Sequence, residues 1–170
     1  IDNSYKKVLT IFEEHFKKQP FLLGNFPSSC DFAVYGQFTQ LVGFDPTPRR
    51  IAHEISPRTV AWVSTLEDRG GLNYSEENKS LDSLSDSISD LFKELSISYI
   101  PTMIENHKAI KEGEKEWSVD LAGYPWKQKS FPYQAKCLDW IRDEFKKLDT
   151  ENQEKVLNFL TATNCQSLVE

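Results

Sequence analysis

The sequence is poor in the residues that mark secreted and membrane proteins. Its three cysteines, Cys30, Cys137 and Cys165, are odd in number, widely spaced and without a CxxC pair. This argues against a disulfide framework and favours a reducing compartment. No apolar run approaches the length of a membrane span, and no signal peptide is visible at the start. We therefore expect a cytoplasmic protein without membrane contact.

An excess of positive charge is also lacking. The net charge is -6 and the pI is near 5.2, which argues against binding to nucleic acid or to an anionic membrane. A hydrophobic fraction of 39% in 170 residues is enough for a real core, so a disordered chain is excluded. We expect one helical domain over residues 1–170.

Recognisable metal-binding patterns are missing as well. His15, His53 and His107 are scattered, without an HxxxH or HExxH spacing, so packing or surface histidines are expected. Asp82, Asp86 and Asp90 recur every four residues, which places them on one helical face. A single row of carboxylates does not enclose a hard cation, so we interpret it as a solvated face and predict no metal site.

What the sequence does contain is a strong helix start within residues 21–44, FLLGNFPSSCDFAVYGQFTQLVGF. Ser28 suits an N-cap, and Asp31 lies three residues on, where its carboxylate can reach back to the Ser28 amide. A hydroxyl beside a carboxylate also suggests an acid and a nucleophile, but a capping box explains both residue types and their spacing. Residues 32–42 lack a polar face, which predicts a central buried helix at about 29–43.

The string FLLGNFPSSCDFAVYGQ resembles the signature of the all-helical C-terminal domain of the glutathione transferase superfamily. Ser28 and Asp31 match the two positions of that family's capping box, which serves folding and not chemistry. The later string SPRTVAWVSTLEDRGGL is also similar to the family. The resemblance covers residues 1–72, and residues 73–170 form an atypical extension.

The resemblance implies an all-α bundle and a partner half that this chain lacks. Transferases of this superfamily carry a thioredoxin-like N-terminal domain, which binds glutathione and supplies the activating Ser, Tyr or Cys. The chain begins at Ile1 and its only methionine is Met103, so we expect a fragment of a longer protein. The resemblance then implies glutathione as the cofactor of the full-length protein and no catalytic residue here. The resemblance is also compatible with a homodimer.

Periodicity and turn residues predict the remaining elements. Helices are expected at 2–18, 49–54, from Pro57 after an N-cap at Ser56, 81–113, 132–147, and from a capping box at Thr150 onward. Pro101 is expected to kink or divide the long helix. A small hairpin is expected at 116–131, with its turn at 123–125.

An aromatic cluster, GYPWKQKSFPYQAK, is the least ordinary part of the extension. Rings with interleaved polar residues suit a ligand wall, but they equally suit a hairpin fixed to the bundle by its aromatics. Cys30, in the first turn of the central helix, is expected to be a buried, inert thiol. The candidate substrate-binding residues are Tyr35, Tyr124, Trp126, Phe131 and Tyr133.

Two functions therefore compete. The first is the substrate-side domain of a glutathione transferase, which contributes a hydrophobic wall for the electrophile and is inactive alone. The second is a non-catalytic assembly module built on the same fold, which the atypical extension favours.

Overall fold

The computed structural model describes residues 2–69 and 84–170. The chain divides into two compact units, Ile1–Leu91 and Phe92–Glu170. The predicted helix end at Gly70 and Gly71, the polar loop at 73–80, the helix start at Leu81 and the carboxylate of Asp82 lie outside the described residues. That the chain is a single domain stays a prediction.

The first unit is built from short helices. They are α1 (Asp2–His15), α2 (Ser29–Phe38), a π-helical turn (Thr39–Phe44), α3 (Pro46–Ile55) and α4 (Pro57–Glu67). Helix α1 packs against α3 and α4, and α2 packs against α4. The core between them is aromatic: the Phe12 ring lies 5.5 Å from that of Phe38, and Phe16 stacks on Trp62 at 5.0 Å.

Helix α4 begins as the sequence predicts, with Ser56 at the N-cap and Pro57 in the first position. The Ser56 hydroxyl accepts from the Thr59 amide and donates to Glu13 Oε2 of α1 at 3.1 Å. The Arg58 amide donates to the same Glu13 oxygen at 3.1 Å, and the Arg58 guanidinium pairs with the other. A carboxylate at the positive end of the α4 dipole therefore fastens α4 to α1.

The predicted central helix forms, but it is not covered on all sides by described residues. Phe38 and Val42 are buried, whereas Phe32 is 49% exposed and Phe44 is 76% exposed. The α-helix also ends earlier than expected, at Phe38, and continues as a π-helical turn in which the Asp45 amide bonds the Gln40 carbonyl. Helix α2 packs against α4, the π turn packs against α3 and α4, and Phe38 meets Phe12 of α1, but Phe32 and Phe44 stay exposed.

The second unit contains most of α5 (Asp86–Glu112), which runs through Pro101 without dividing. The helix ends at Gly113, as predicted. Gly113 has φ +76°, and the Glu114 amide bonds back to the Ala109 carbonyl. This is the left-handed C-terminal cap that glycine accommodates without strain.

The hairpin that follows is present, but its turn lies earlier than the sequence predicts. Strands β1 (Glu116–Leu121) and β2 (Tyr124–Lys129) pair antiparallel, with Leu121 opposite Tyr124. The turn is therefore Ala122-Gly123, both with positive φ (53° and 88°). Such a two-residue turn matches the strand twist, so Tyr124 and Pro125 belong to the strand and not to the turn.

Two further helices complete this unit: α6 (Pro132–Lys147), with the predicted bounds, and α7 (Thr150–Ala162). The N-cap of α7 is Asp149, which accepts from the Asn152 amide, and not Thr150 as predicted. The core of the unit forms around Ile100, Leu160 and Cys165. Over the described ranges, no helix combines the length and the apolar character that crossing a bilayer requires.

Candidate functional site

The Ser28–Asp31 pair at the start of α2 works as a structural anchor. Asp31 is 0% exposed, and its Oδ2 accepts from the Ser28 amide at 2.9 Å and from the Ser28 hydroxyl at 2.6 Å. Its Oδ1 accepts from the Leu22 amide at 2.8 Å. The carboxylate thus joins the helix start to the preceding loop, and both of its oxygens are engaged.

The nearby thiol of Cys30 is poorly suited to nucleophilic chemistry. Burial raises its pKa above the usual 9.0, and the hydrogen bond with Ser28, at 2.9 Å between Sγ and Oγ, opposes that rise only in part. A thiol with a raised pKa is protonated near neutral pH, and the thiolate is the nucleophile. This arrangement favours the inert interpretation.

His15, at the end of α1, is a packing histidine and not a ligand or catalyst. It is 1% exposed, its Nδ1 lies 2.8 Å from Ser87 Oγ, and its Nε2 lies 3.1 Å from the Phe21 carbonyl. Gln19 shares this network and donates to the Phe21 and Leu22 carbonyls. The same loop that Asp31 holds from one end is therefore held from the other by His15 and Gln19.

Tyr35 is the one candidate substrate-binding residue in the first unit. It is partly buried in α2, three residues after the exposed Phe32, so the two side chains are neighbours on the helix surface. The other candidates, Tyr124, Trp126, Phe131 and Tyr133, all belong to the second unit.

The hairpin of the second unit has one apolar face. Directly opposed residues share a face, which places Trp117 with Gln128, Val119 with Trp126 and Leu121 with Tyr124. Only Trp117 at the base is buried, whereas Trp126 is 41% and Tyr124 is 77% exposed. The tip residues therefore do not fix the hairpin to the bundle.

The residue that fixes the hairpin is Asn106 of α5. It is 0% exposed, and its Oδ1 accepts from the Trp117 indole at 3.0 Å and from the Phe131 amide at 2.7 Å. Its Nδ2 donates to the Phe131 carbonyl at 2.9 Å. One buried amide thus holds the base of β1 and the start of α6 on α5.

Beyond this clamp lies a surface that we call the α6 aromatic surface, consisting of Phe131, Tyr133, Lys136 and Trp140. The Phe131 and Tyr133 ring centroids are 6.3 Å apart, and Tyr133 meets Trp140 edge-on at 6.0 Å. The Lys136 ammonium lies 5.0 Å from the Trp140 centroid. The three rings are 52%, 59% and 46% exposed, so they form a continuous row on the outside of the unit.

The other face of the hairpin borders an open depression of about 850 Å³. Lys115, Ser118 and Lys129 line it, together with Glu116 and Lys127, which pair at 2.6 Å. The lining residues carry both positive and negative charges, and Glu116 and Lys127 neutralise each other. No nucleophile and base meet there.

The carboxylates and histidines considered above as metal ligands do not combine into a site among the described residues. Asp86 and Asp90 are exposed, and His53 is exposed on α3. His107 bonds Asp139 at 2.8 Å, and that hydrogen bond lowers the pKa of Asp139 below 3.8. In residues 2–69 and 84–170, no three His, Cys, Asp or Glu side chains are grouped as a metal site.

Comparison with known families finds a match to most of the first unit. Residues 3–69 match the family model for the glutathione S-transferase, C-terminal domain. This segment is a glutathione S-transferase C-terminal-like domain. Its helices and the hairpin-bearing helical unit after it give the chain the all-α fold expected of such a domain. Comparison with curated proteins and with solved structures found no match.

Sequence reasoning missed Asn106 and Trp140, two residues that organise the second unit. Asn106 follows the apolar positions Ile100 and Met103 of α5, and an amide within a buried stripe was the available signal. Trp140 occupies the seventh position after Tyr133 on α6, which puts both rings on one helical face.

Proposed function

We propose that this glutathione S-transferase C-terminal-like domain is the substrate-side domain of a glutathione S-transferase-like protein. The observation that carries the proposal is the family match over residues 3–69, with Asp31 buried and fully bonded at the start of α2. In this function Phe32 and Tyr35 contribute to an apolar wall for an electrophilic substrate. A thioredoxin-like domain of the same protein binds and activates glutathione.

The exposed apolar face of α2 and the π turn supports the proposal that another domain or chain covers it. Phe32 and Phe44 leave more apolar surface open than a buried helix would, and a second domain or a second copy of the chain would remove it from water. The raised pKa of the Cys30 thiol agrees with a chain that does not supply the thiolate itself. We expect the chain alone to be inactive, and the full-length protein to work in the cytoplasm.

The test is conjugation of glutathione to a chlorodinitrobenzene by the full-length gene product. We expect turnover, retention on glutathione-agarose, and no turnover by residues 1–170 alone. Tyr35→Ala in the full-length protein should raise the KM for the electrophile by about tenfold and leave the KM for glutathione unchanged.

Thr65→Ala on the exposed side of α4 is the matched control and should change neither constant. A full-length protein that neither turns over nor binds glutathione-agarose would reject the transferase function.

A second function, that of a non-catalytic assembly module, is favoured by one specific observation. The second unit, Phe92–Glu170, lies wholly beyond the family match, and it exposes Phe131, Tyr133 and Trp140 in one row. Tyr124 and Trp126 add exposed rings on the hairpin. We propose these aromatics as the binding surface of the second unit, whether it meets a ligand or a protein.

A further inference from the structure

We infer that the α6 aromatic surface pairs with a second copy of this chain, so that two α6 helices lie antiparallel about a two-fold axis beside Trp140. The inference names a partner for the assembly function proposed above and rests on that second function. It does not depend on the transferase function. The observations that carry it are an exposed aromatic centre and charges of opposite sign on the two sides of that centre.

The outward face of α6 is centred on Trp140. Each helical residue is turned by about 100° from the one before, so Tyr133 and Trp140, seven residues apart, lie nearly in line along the helix. Leu138 and Ala135, on the opposite side, are 0% and 3% exposed, whereas Tyr133 and Trp140 are 59% and 46% exposed. The helix therefore has one face in the core and one aromatic face in water.

The charges on this outward face change sign along the helix. Lys136 comes one turn before Trp140, and its ammonium lies 5.0 Å from the centroid of that ring. Asp143 and Glu144 come one turn after Trp140. A partner that carried charges of only one sign would therefore meet a charge of its own sign on one side of Trp140, which disfavours it.

The acids of this face are not committed to strong contacts within the helix. Asp143 pairs with Lys146 at 3.3 Å, and Glu144 pairs with Lys147 at 2.6 Å. All four side chains are at least 60% exposed. Ion pairs between such exposed side chains contribute little to stability, so both acids can turn to a partner's lysine instead.

A two-fold axis beside Trp140 brings the opposite charges together. In two antiparallel helices with both Trp140 rings at the centre, residues that precede Trp140 in one copy lie opposite residues that follow it in the other. Lys136 is four residues before Trp140 and Asp143 is three after it, and the helical rotation puts both on the same flank of the ring. Lys136 therefore meets the partner's Asp143, and the symmetry makes this contact twice. A parallel pair would place Lys136 against the partner's Lys136.

The backbone at the start of this surface is held rigidly. Both polar atoms of the Phe131 backbone bond the side chain of the fully buried Asn106, while the Phe131 ring is 52% exposed. The Trp117 indole bonds the same amide, so the base of the hairpin is fixed to it as well. A pre-organised surface loses little conformational freedom on binding, which favours association.

The experiment is sedimentation velocity of the complete chain over a concentration series from about 1 to about 200 µM. One helix from each copy makes a contact that is small beside the roughly 1,600 Å² of a standard interface, so we expect a monomer–dimer equilibrium within this range. Trp140→Ala removes both central rings and should weaken dimerisation by at least about tenfold.

Charge reversal tests the antiparallel pairing directly. Lys136→Glu and Asp143→Lys should each weaken dimerisation by about tenfold, because each places like charges opposite one another at two symmetric positions. The double variant Lys136→Glu/Asp143→Lys restores opposite charges, so its dimer constant should return to within about threefold of the parent value. Both side chains are exposed, so the charge variants should unfold at the parent midpoint under conditions where the parent is a monomer.

Glu154→Lys is the matched control, since it reverses an exposed acid on α7 and should change the dimer constant by less than about twofold. A dimer that ignores Trp140→Ala, or a double variant that is not restored, overturns the inference. Loss of the dimer in Phe44→Ser but not in Trp140→Ala would place the contact on the π turn, and would overturn it too.

A chain that stays monomeric at every concentration overturns the choice of a second copy as the partner. If Trp140→Ala also leaves every assembly of the full-length protein unchanged, the assembly function fails together with the inference. The transferase function is measured separately, by glutathione conjugation, so its failure is distinguishable from both.

Discussion

Each unit of the chain contains a fully buried polar side chain that joins the start or middle of a helix to another segment. In the first, Asp31 takes hydrogen bonds from Leu22 and Ser28, which lie nine and three residues away. In the second, Asn106 bonds Trp117 and Phe131, which lie 11 and 25 residues away. The first anchor is local and the second is not. A local anchor can be recognised as a motif, whereas a distant one depends on how the elements pack.

Of the two buried anchors, Asp31 is expected to contribute more to the free energy of unfolding. Asp31→Ala should lower the free energy of unfolding by about 3 kcal/mol, because the Leu22 and Ser28 amides lose their acceptor together. Urea unfolding of the complete chain measures it. Asp45→Ala is the control, since Asp45 is an exposed N-cap that accepts from the Thr47 amide, and it should cost about 1 kcal/mol. If both variants lose the same free energy of unfolding, the burial of Asp31 adds nothing to its stabilising effect.

At Asn106 the expected effect is somewhat smaller, because the groups it satisfies are neutral and one is a side chain. Asn106→Ala should lower the free energy of unfolding by about 2 kcal/mol and speed hydrogen exchange of the Phe131 amide. The exposed Asn158→Ala on α7 should be within about 0.5 kcal/mol of the parent chain. Slow exchange at Phe131 in the Asn106 variant would mean that the clamp does not hold α6.

The smallest predicted effect concerns pH and the joint between α1 and α4. Burial alone would raise the pKa of Glu13, but hydrogen bonds from Arg58 and Ser56 outweigh it and hold the pKa below 4.5. A lowered folded pKa means that this stabilisation is present above about pH 4.5 and is lost as the pH falls through the folded value. Glu13→Gln should cost about 1 kcal/mol at neutral pH, and this cost should disappear once the pH lies below the folded pKa of Glu13.

Glu14→Gln is the control for that prediction, because Glu14 is 56% exposed and pairs with Lys17, three residues further along the chain. It should leave the pH dependence of unfolding unchanged. If Glu13→Gln and the parent chain lose stability in parallel between neutral and acid pH, Glu13 does not contribute the expected linkage.

Much of the fold was predictable because its signals are local. The start of α4 at Ser56-Pro57, the end of α5 at Gly113 and both bounds of α6 are confirmed, since each depends on capping or proline geometry within a few residues. The hairpin turn was wrong by one to two residues. A pattern of alternating residues predicts strands, but the turn depends on which residues adopt positive φ, and Ala122 is an uncommon choice.

The candidate site was predictable only in part. The interleaved aromatics of residues 123–136 are visible in the sequence, but whether they pack inward or face water is decided by the pairing of β1 with β2 and by the clamp at Asn106. The exposure of Phe32 and Phe44 could not be predicted either, because an apolar run shows what would be buried and not what covers it.

By itself the sequence determined the starts of α2, α4 and α6, the resemblance of its first part to the glutathione S-transferase C-terminal domain and the presence of a hairpin. Each of these depends on neighbouring residues, and capping, turn and periodicity rules act over one or two helical turns. Only the tertiary structure decided that Asn106 joins Trp117 to Phe131, and that Phe131, Tyr133 and Trp140 form one exposed row. These contacts bring together residues from α5, β1 and the start of α6, which are far apart in the chain. Their positions in space are set by how the elements pack and not by local sequence.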